Sequence, residues 1–371
     1  MLPSCMPGLS RVGFLHEFQS NANTKFTALD VFRNLSTDTL AGAFVESNGF
    51  DVQCIANEHL KSRALPRIEV RSSPGKGLGL FAVDHVLAYS NILEDYALLS
   101  LAPGEDIPEL WQKYLALPAD DKRQFDQLGF SSHQESKEAQ LVERLEARGY
   151  QHGKATQMVR VQCRFMANAF KENESDKWRA TLFSTVARIN HSCTPNAQTH
   201  YRPASGSKVL YAFRDILAGE EIEISYFGIT MAYYDRQARA KAWGFTCTCP
   251  ACPTTATADG HIYEGKLAQI RRGLDLAIKP HSLPVSTLIQ QTRSAIESAL
   301  DPNYPWLVAA LPNLYTYLVQ WLAEKNSTQQ DQQAALECAL EWETKITGPE
   351  SPFSKYKRQH LQRFMTHPDE Y

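Results

Sequence analysis

Cysteines supply the most chemistry-specific spacing in the sequence. Cys247, Cys249 and Cys252 form a Cys-x-Cys-x-x-Cys array, and a fourth cysteine, Cys193, closes the segment 188–193. Four thiolates make a closed site for structural zinc, with no position left for water or substrate. The spacing therefore predicts a zinc site, and Cys193 as its fourth ligand would join two parts of the chain that are distant in sequence.

Polar side chains stand directly beside the candidate metal ligands. Asn190 and His191 precede Ser192-Cys193, and their side chains can hydrogen bond either to a ligand or within the protein. Tyr226 follows an alternating segment, 221–225, which is typical of a strand. Taken alone, these residues allow a buried polar loop and simple core packing as well as a binding pocket.

A glycine-rich turn lies at residues 73–79. Gly77-Leu78-Gly79 would let a backbone approach a ligand closely, although a plain β-turn is the simpler explanation of this glycine pair alone. No Gly-x-Gly-x-x-Gly and no Gly-x-x-x-x-Gly-Lys-Ser/Thr pattern follows it, which argues against a dinucleotide site or a P-loop.

In this order, the motifs resemble those of the SET-domain family of lysine methyltransferases. The resemblance rests on four segments: Lys76 to Phe81, Arg188 to Asn196, Gly219 to Tyr226, and Trp243 to Cys252. It covers residues 66 to 253 and is interrupted by a helical insert. The subgroup is similar to fungal-type or MYND-associated SET proteins, but the insert has no MYND zinc finger because residues 87–162 contain no cysteine.

The resemblance implies a cofactor, S-adenosylmethionine, and a set of residues around it. The implied cofactor-binding residues are Lys76, Gly77, Leu78, Gly79, Asn168, Asn190, His191, Tyr226 and Phe245. Among them, Asn168 belongs to an Asn-x-Phe element, Phe245 would stack on the adenine, and Tyr226 is the implied catalytic residue. The zinc held by Cys193, Cys247, Cys249 and Cys252 would be structural and would fold the post-SET segment over the cofactor.

The expected fold class is α+β. It comprises a β-rich SET fold of short strands, a helical insert, a post-SET zinc segment and a C-terminal all-α domain. We expect an N-terminal extension of unknown role at 1–64, the SET domain at 65–235 with its insert at about 103–178, the post-SET segment at 236–255 and the helical domain at 256–371. Four helices are predicted between 262 and 347, followed by a polar tail at 348–371.

Composition and charge exclude several other functions. The net charge is −3, and the sequence has no run of five or more basic residues, so we expect no direct binding to nucleic acid. Nothing in the sequence predicts a signal peptide or a membrane span, and the clustered cysteines fit a reducing compartment, nuclear or cytoplasmic. The expected partner is a protein substrate bearing a lysine, and a monomer is favoured. Two alternatives stay open: a small-molecule amine as substrate, or a catalytically silent interaction module.

Overall fold

The strands of this protein form two sheets. The structure, a computed structural model, describes residues 65–129, 135–174, 177–252, 258–278 and 282–367. The predicted N-terminal extension, 1–64, lies outside the described residues. The strands are β1 (Ile68–Ser73), β2 (Gly77–Ala82), β3 (Asn91–Leu101), β4 (Phe170–Glu174), β5 (Lys177–Phe183), β6 (Asn190–His191), β7 (Ala197–Arg202), β8 (Ser207–Ala212) and β9 (Glu221–Ile224).

The smaller sheet brings together three of the segments singled out by the sequence. Its strand order is β1-β2-β9-β6. β1 and β2 form an antiparallel hairpin whose turn contains Gly75 and Gly77, both with positive φ, a conformation that glycine adopts at little cost. β6 pairs in parallel with β9, so that Asn190 lies opposite Glu223. The turn, the Asn-His pair and the strand before Tyr226 are therefore neighbours.

The larger sheet supports the smaller one and carries the insert. Its strand order is β4-β5-β3-β8-β7, and all of its pairs are antiparallel. The insert consists of α1 (Ile107–Leu115), α2 (Ala119–Asp126), α3 (Glu135–Ala147) and α4 (His152–Asn168). The predicted helical insert of 103–178 is too long, because its helices end at Asn168 and the residues that follow form β4 and the start of β5.

Helices make up most of the chain after β9. They are α5 (Tyr233–Ala242), α6 (Ala258–Asp275), α7 (Val285–Ala299), α8 (Leu311–Glu324), α9 (Gln329–Thr347) and α10 (Pro352–Thr366), with a 3-10 turn at Pro305–Ala310. The C-terminal helices predicted from the sequence are present. The tail predicted at 348–371 is instead largely helical, because Ser351 caps α10 by accepting a hydrogen bond from the backbone N–H of Ser354 at 3.0 Å, and Pro352 stands in its first turn.

One apolar core joins the SET strands to the C-terminal helices. Leu80 and Ile222 of the small sheet share it with Leu267 of α6 and Leu314 of α8, and all four are fully buried. A separate cluster, which includes Phe125 and Phe165, packs the insert helices against β3 and β5. Burying one such side chain contributes about 1.5–3 kcal/mol. The continuous core fixes the helices against the sheets that carry the site.

No helix among the described residues is long and apolar enough to cross a membrane.

Candidate active site

A cradle of backbone and polar side chains forms where β2 passes Asn190. The Asn190 amide donates to the carbonyl oxygen of Leu78 at 3.0 Å and to the Glu221 carboxylate at 2.7 Å. A Cβ added to Gly79 would overlap the Glu221 carboxylate and would lie 3.0 Å from Asn190 Nδ2. A side chain at this position would therefore force the Glu221 carboxylate to move.

Acidic residues of β9 hold this cradle together. The Glu221 carboxylate accepts a hydrogen bond from the Ser73 hydroxyl at 2.9 Å and lies 3.6 Å from the Lys76 ammonium. Lys76 also forms an ion pair with Glu223. Burial raises the pKa of Glu223 and is only partly offset by the neighbouring Lys76. The exposed Lys76 therefore lies over two carboxylates at the edge of the cradle.

The segment that carries Asn190 and His191 is fixed from both ends. The buried carboxylate of Asp95, on β3, accepts hydrogen bonds from the backbone N–H groups of Thr185 and Val186 at 2.7 and 2.8 Å, at the start of a short 3-10 turn. On the other side, Asn196 accepts a hydrogen bond from the backbone N–H of Glu223 at 2.9 Å. These contacts set the position of the short strand β6 between them.

His191 connects the cysteine cluster to Tyr226. Its Nδ1 accepts a hydrogen bond from the backbone N–H of Tyr226 at 2.9 Å, and its Nε2 lies 3.2 Å from the sulfur of Cys193. Because Nδ1 is an acceptor, the neutral ring carries its proton on Nε2 and donates it to the sulfur. With both ring nitrogens engaged in the protein, a contact with a cofactor would use the backbone or the ring carbons of His191.

Tyr226 lies in a group of aromatic rings. It is 6% exposed, and its hydroxyl donates a hydrogen bond to the carbonyl oxygen of Ile189 at 2.6 Å. The ring of Trp243 lies 5.2 Å from that of Tyr226, and the half-buried Phe245 lies 5.5 Å from His191 and 6.2 Å from Tyr226. Phe245 thus stands close to the Asn-His segment.

The four cysteines meet at one point. The sulfurs of Cys193, Cys247, Cys249 and Cys252 all lie within 4.8 Å of one another, and Cys193 is 3.8 Å from Cys247 and 3.6 Å from Cys252. All four are free thiols rather than disulfides. A tetrahedral zinc site with Zn–S bonds of about 2.3 Å has sulfurs about 3.8 Å apart, so the donor set fits this metal in both chemistry and spacing.

The electrostatics of the cluster also favour a bound cation. Hydrogen bonds from the neighbouring thiols lower the pKa of Cys249, whereas the same set of contacts, with Cys247 first, and burial raise the pKa of Cys193. Thiolates held this close together would repel one another. A divalent cation would remove this repulsion.

Asn168 lies at the last turn of α4 and is buried. Its amide donates to the carbonyl oxygens of Gly129 and Arg164 at 2.7 and 2.8 Å. A contact with a cofactor would therefore be made by its Oδ1. Its role stays a prediction.

Sequence reasoning missed three residues that organise the site. Glu221 anchors Asn190, Asp95 caps the turn before it, and Arg236 lies behind the cysteines. Each is a charged residue without a distinctive neighbour in sequence, and each acts through partners far along the chain. Only the doubled acidic residues of the segment 219–223 offered a signal in the sequence.

Comparisons with known proteins agree on one domain. Residues 77–227 match the family model described as SET domain. A histone-lysine N-methyltransferase, SET5, of Meyerozyma guilliermondii is 38% identical over 78 residues, which is 20% of this chain and 16% of the relative. A histone-lysine N-methyltransferase, ATXR2, of Arabidopsis thaliana is 36% identical over 88 residues, which is 23% of this chain and 19% of the relative.

A third relative carries a different substrate term in its name. The protein-lysine N-trimethyltransferase SMYD5 of Gallus gallus is 43% identical over 75 residues, which is 19% of this chain and 18% of the relative. The match to this chain thus spans less than a fifth of the length of each of these three curated relatives. Residues 77–227 of the chain thus match the SET-domain family, and named lysine methyltransferases are among the proteins that the chain resembles.

Proposed function

We propose that this chain is an S-adenosylmethionine-dependent protein-lysine N-methyltransferase. The observation that carries the proposal is that the short strand β6 contacts the β2 backbone, the cysteine cluster and Tyr226. Asn190 contacts the backbone of β2, and the adjacent His191 contacts both the cysteine cluster and Tyr226. The names of the curated relatives support the same reaction class.

The cradle is the proposed cofactor site. The backbone of residues 76–79 and the side chain of Asn190 would hold the methionine part, and Phe245 would cover the adenine. The packing of Glu221 and Asn190 against Gly79 supports this assignment, because it fixes the Asn190 amide beside the β2 backbone. S-Adenosylmethionine, when bound, supplies a methyl group on a positively charged sulfur.

Tyr226 is the proposed catalytic residue and acts by orientation. Its proton is donated to the carbonyl oxygen of Ile189, so its oxygen can meet an incoming amine only as a hydrogen-bond acceptor. A neutral phenol is a poor base, and we assign it the role of directing the amine lone pair. Correct alignment of two reactants can supply about 7–11 kcal/mol of a barrier.

The substrate lysine must lose a proton before it attacks. Its ordinary pKa is about 10.4. The buried aromatic group of Tyr226, Phe227 and Trp243 would disfavour the ammonium form, because burial in apolar surroundings lowers the pKa of an amine. The proposed acceptor is a lysine of a histone or of another nuclear or cytoplasmic protein.

A labelling experiment tests the reaction. The full chain is incubated with S-adenosylmethionine carrying a labelled methyl group and a protein extract, and modified lysines are mapped by mass spectrometry. We expect label on protein lysines, and none with the Asn190→Ala variant. Label confined to small metabolites would instead support a small-molecule methyltransferase. Calorimetry that detects no cofactor binding would leave an interaction module.

We further propose that Cys193, Cys247, Cys249 and Cys252 hold one structural zinc. Elemental analysis of the purified chain should find about one zinc per molecule. Cys249→Ser should lose it, whereas Cys338→Ser, which changes a half-buried cysteine outside the cluster, should retain it. A stable, fully active chain without metal would refute this assignment.

A further inference from the structure

Arg236 is a buried cation that lies behind the cysteine cluster. It lies on α5 and is 2% exposed. Its guanidinium donates hydrogen bonds to the carbonyl oxygens of Met231 at 2.6 Å and Ala251 at 3.0 Å, and to the Glu264 carboxylate at 2.8 Å. Arginine rather than lysine suits this position, because only a planar fork reaches several acceptors in fixed directions.

The same guanidinium faces the cysteine cluster. Its Nη2 lies 4.0 Å from the sulfur of Cys252, a distance at which the attraction is electrostatic. Four thiolates around one Zn²⁺ carry a net charge of about −2, and a buried charge of this size requires a countercharge nearby.

The C-terminal helices also contact the cysteine cluster through Tyr263. Tyr263, the neighbour of Glu264 on α6, donates a hydrogen bond to the carbonyl oxygen of Cys193 at 3.3 Å. It accepts one from the indole N–H of Trp306, also at 3.3 Å. The ring of Tyr263 lies 5.6 Å from the guanidinium of Arg236. α6 thus contacts Cys193 directly and reaches the 251–252 segment through Arg236.

We propose that Arg236 and Glu264 form a clasp that joins the four-cysteine metal site to the first helix of the C-terminal domain, so that retention of the metal depends on that domain. Arg236 is a positioning residue: it neutralises the thiolates and holds the 251–252 backbone, and Glu264 fixes its orientation. The inference rests on the proposed zinc site. It adds a function for the C-terminal helices that does not require them to touch the substrate.

The rate of zinc release tests the clasp. The purified full chain is mixed with an excess of the chromogenic chelator 4-(2-pyridylazo)resorcinol, and the rate of colour formation is measured. Loss of a hydrogen-bonding partner of a metal ligand typically costs about 10–100-fold in metal affinity. We therefore expect release that is faster by a similar factor in Arg236→Gln, and faster in Glu264→Gln as well. Lys241→Gln, an exposed change on the same helix, should release zinc at the rate of the unchanged chain.

A spectroscopic measurement separates charge neutralisation from a general loss of packing. In the cobalt-substituted chain, removal of the positive charge of Arg236 should move the thiolate-to-cobalt charge-transfer band to longer wavelength, because the sulfurs then donate more readily. Lys241→Gln should leave the band in place. If Arg236→Gln fails to fold, Glu264→Gln, whose side chain is partly exposed, still gives the release rate.

Two outcomes overturn the clasp and can be told apart. If the unchanged chain holds one zinc but both variants release it within twofold of the normal rate, the clasp is wrong and the zinc site stands. If the unchanged chain holds no zinc, the zinc site itself is wrong and the clasp falls with it.

Discussion

Gly79→Ala is the sharpest test of the proposed cofactor cradle. The added methyl group would overlap the Glu221 carboxylate, which accepts hydrogen bonds from Ser73 at 2.9 Å and Asn190 at 2.7 Å. The carboxylate must therefore move and lose at least the bond to Asn190. A hydrogen bond to a charged group contributes about 1.5–3 kcal/mol. At about 1.4 kcal/mol per factor of ten, cofactor affinity should fall about ten- to hundredfold.

Calorimetric titration with S-adenosylmethionine measures this loss directly. Gly265→Ala is the matched control, because Gly265 lies on the exposed side of α6 with nothing within 4 Å of the added carbon. It should bind the cofactor normally and gain up to about 1 kcal/mol of stability from better helix propensity. A Gly79→Ala chain that binds with normal affinity would show that the cradle is not the cofactor site.

Three further predictions concern other parts of the molecule. Tyr226→Phe should lower kcat at least about tenfold while sparing cofactor affinity. It should also lower the free energy of unfolding by about 1–3 kcal/mol, because the buried Ile189 carbonyl loses its hydrogen-bond donor. An unchanged kcat, measured well below the unfolding temperature of the variant, would remove the phenol from the mechanism. His200, whose buried Nε2 has no hydrogen-bond partner among the described residues, has its pKa lowered to about 3 by burial and by nearby cations. The unfolded chain, in which the histidine has its ordinary pKa, therefore binds a proton at a higher pH than the folded chain does. Denaturant titrations should show the free energy of unfolding falling by about 2 kcal/mol between pH 7 and pH 5, and His200→Gln should reduce this pH dependence. Gly348→Ala should lower the melting temperature and reduce the free energy of unfolding by at least about 2 kcal/mol. The reason is that Gly348 has a φ of +84° and that an added Cβ would overlap the Tyr211 hydroxyl. A normal melting temperature would mean that the end of α9 packs differently against Tyr211.

Local signals in the sequence carried the core of the site. The cysteine spacing, the Asn190-His191 pair and the alternating strand before Tyr226 each depend on neighbours within a few residues, and the structure brings these segments together. The resemblance to the SET-domain family predicted that these segments belong to one site. The cofactor contacts and the role of Tyr226 remain predictions.

What escaped the sequence depends on long-range contacts. Asp95 accepts a hydrogen bond from the backbone N–H of Thr185, which is ninety residues further along the chain. Nothing in the sequence around Asp95 indicates this contact. Residues 170–174 and 177–178 read as a continuation of the insert, yet they form strands because β4 pairs with β5 and β5 pairs with β3. α10 was missed because its buried face is narrow, with Phe364 as its main apolar anchor.

The shared core has a consequence for anyone who trims this protein. Leu80 and Ile222 lie in the same apolar cluster as Leu267 and Leu314, so no solvent layer separates the sheets from the helices behind them. A fragment that stops at residue 255 would expose the apolar surface that the helices cover, and we expect it to aggregate. Heating the whole chain should accordingly melt both halves in a single cooperative step.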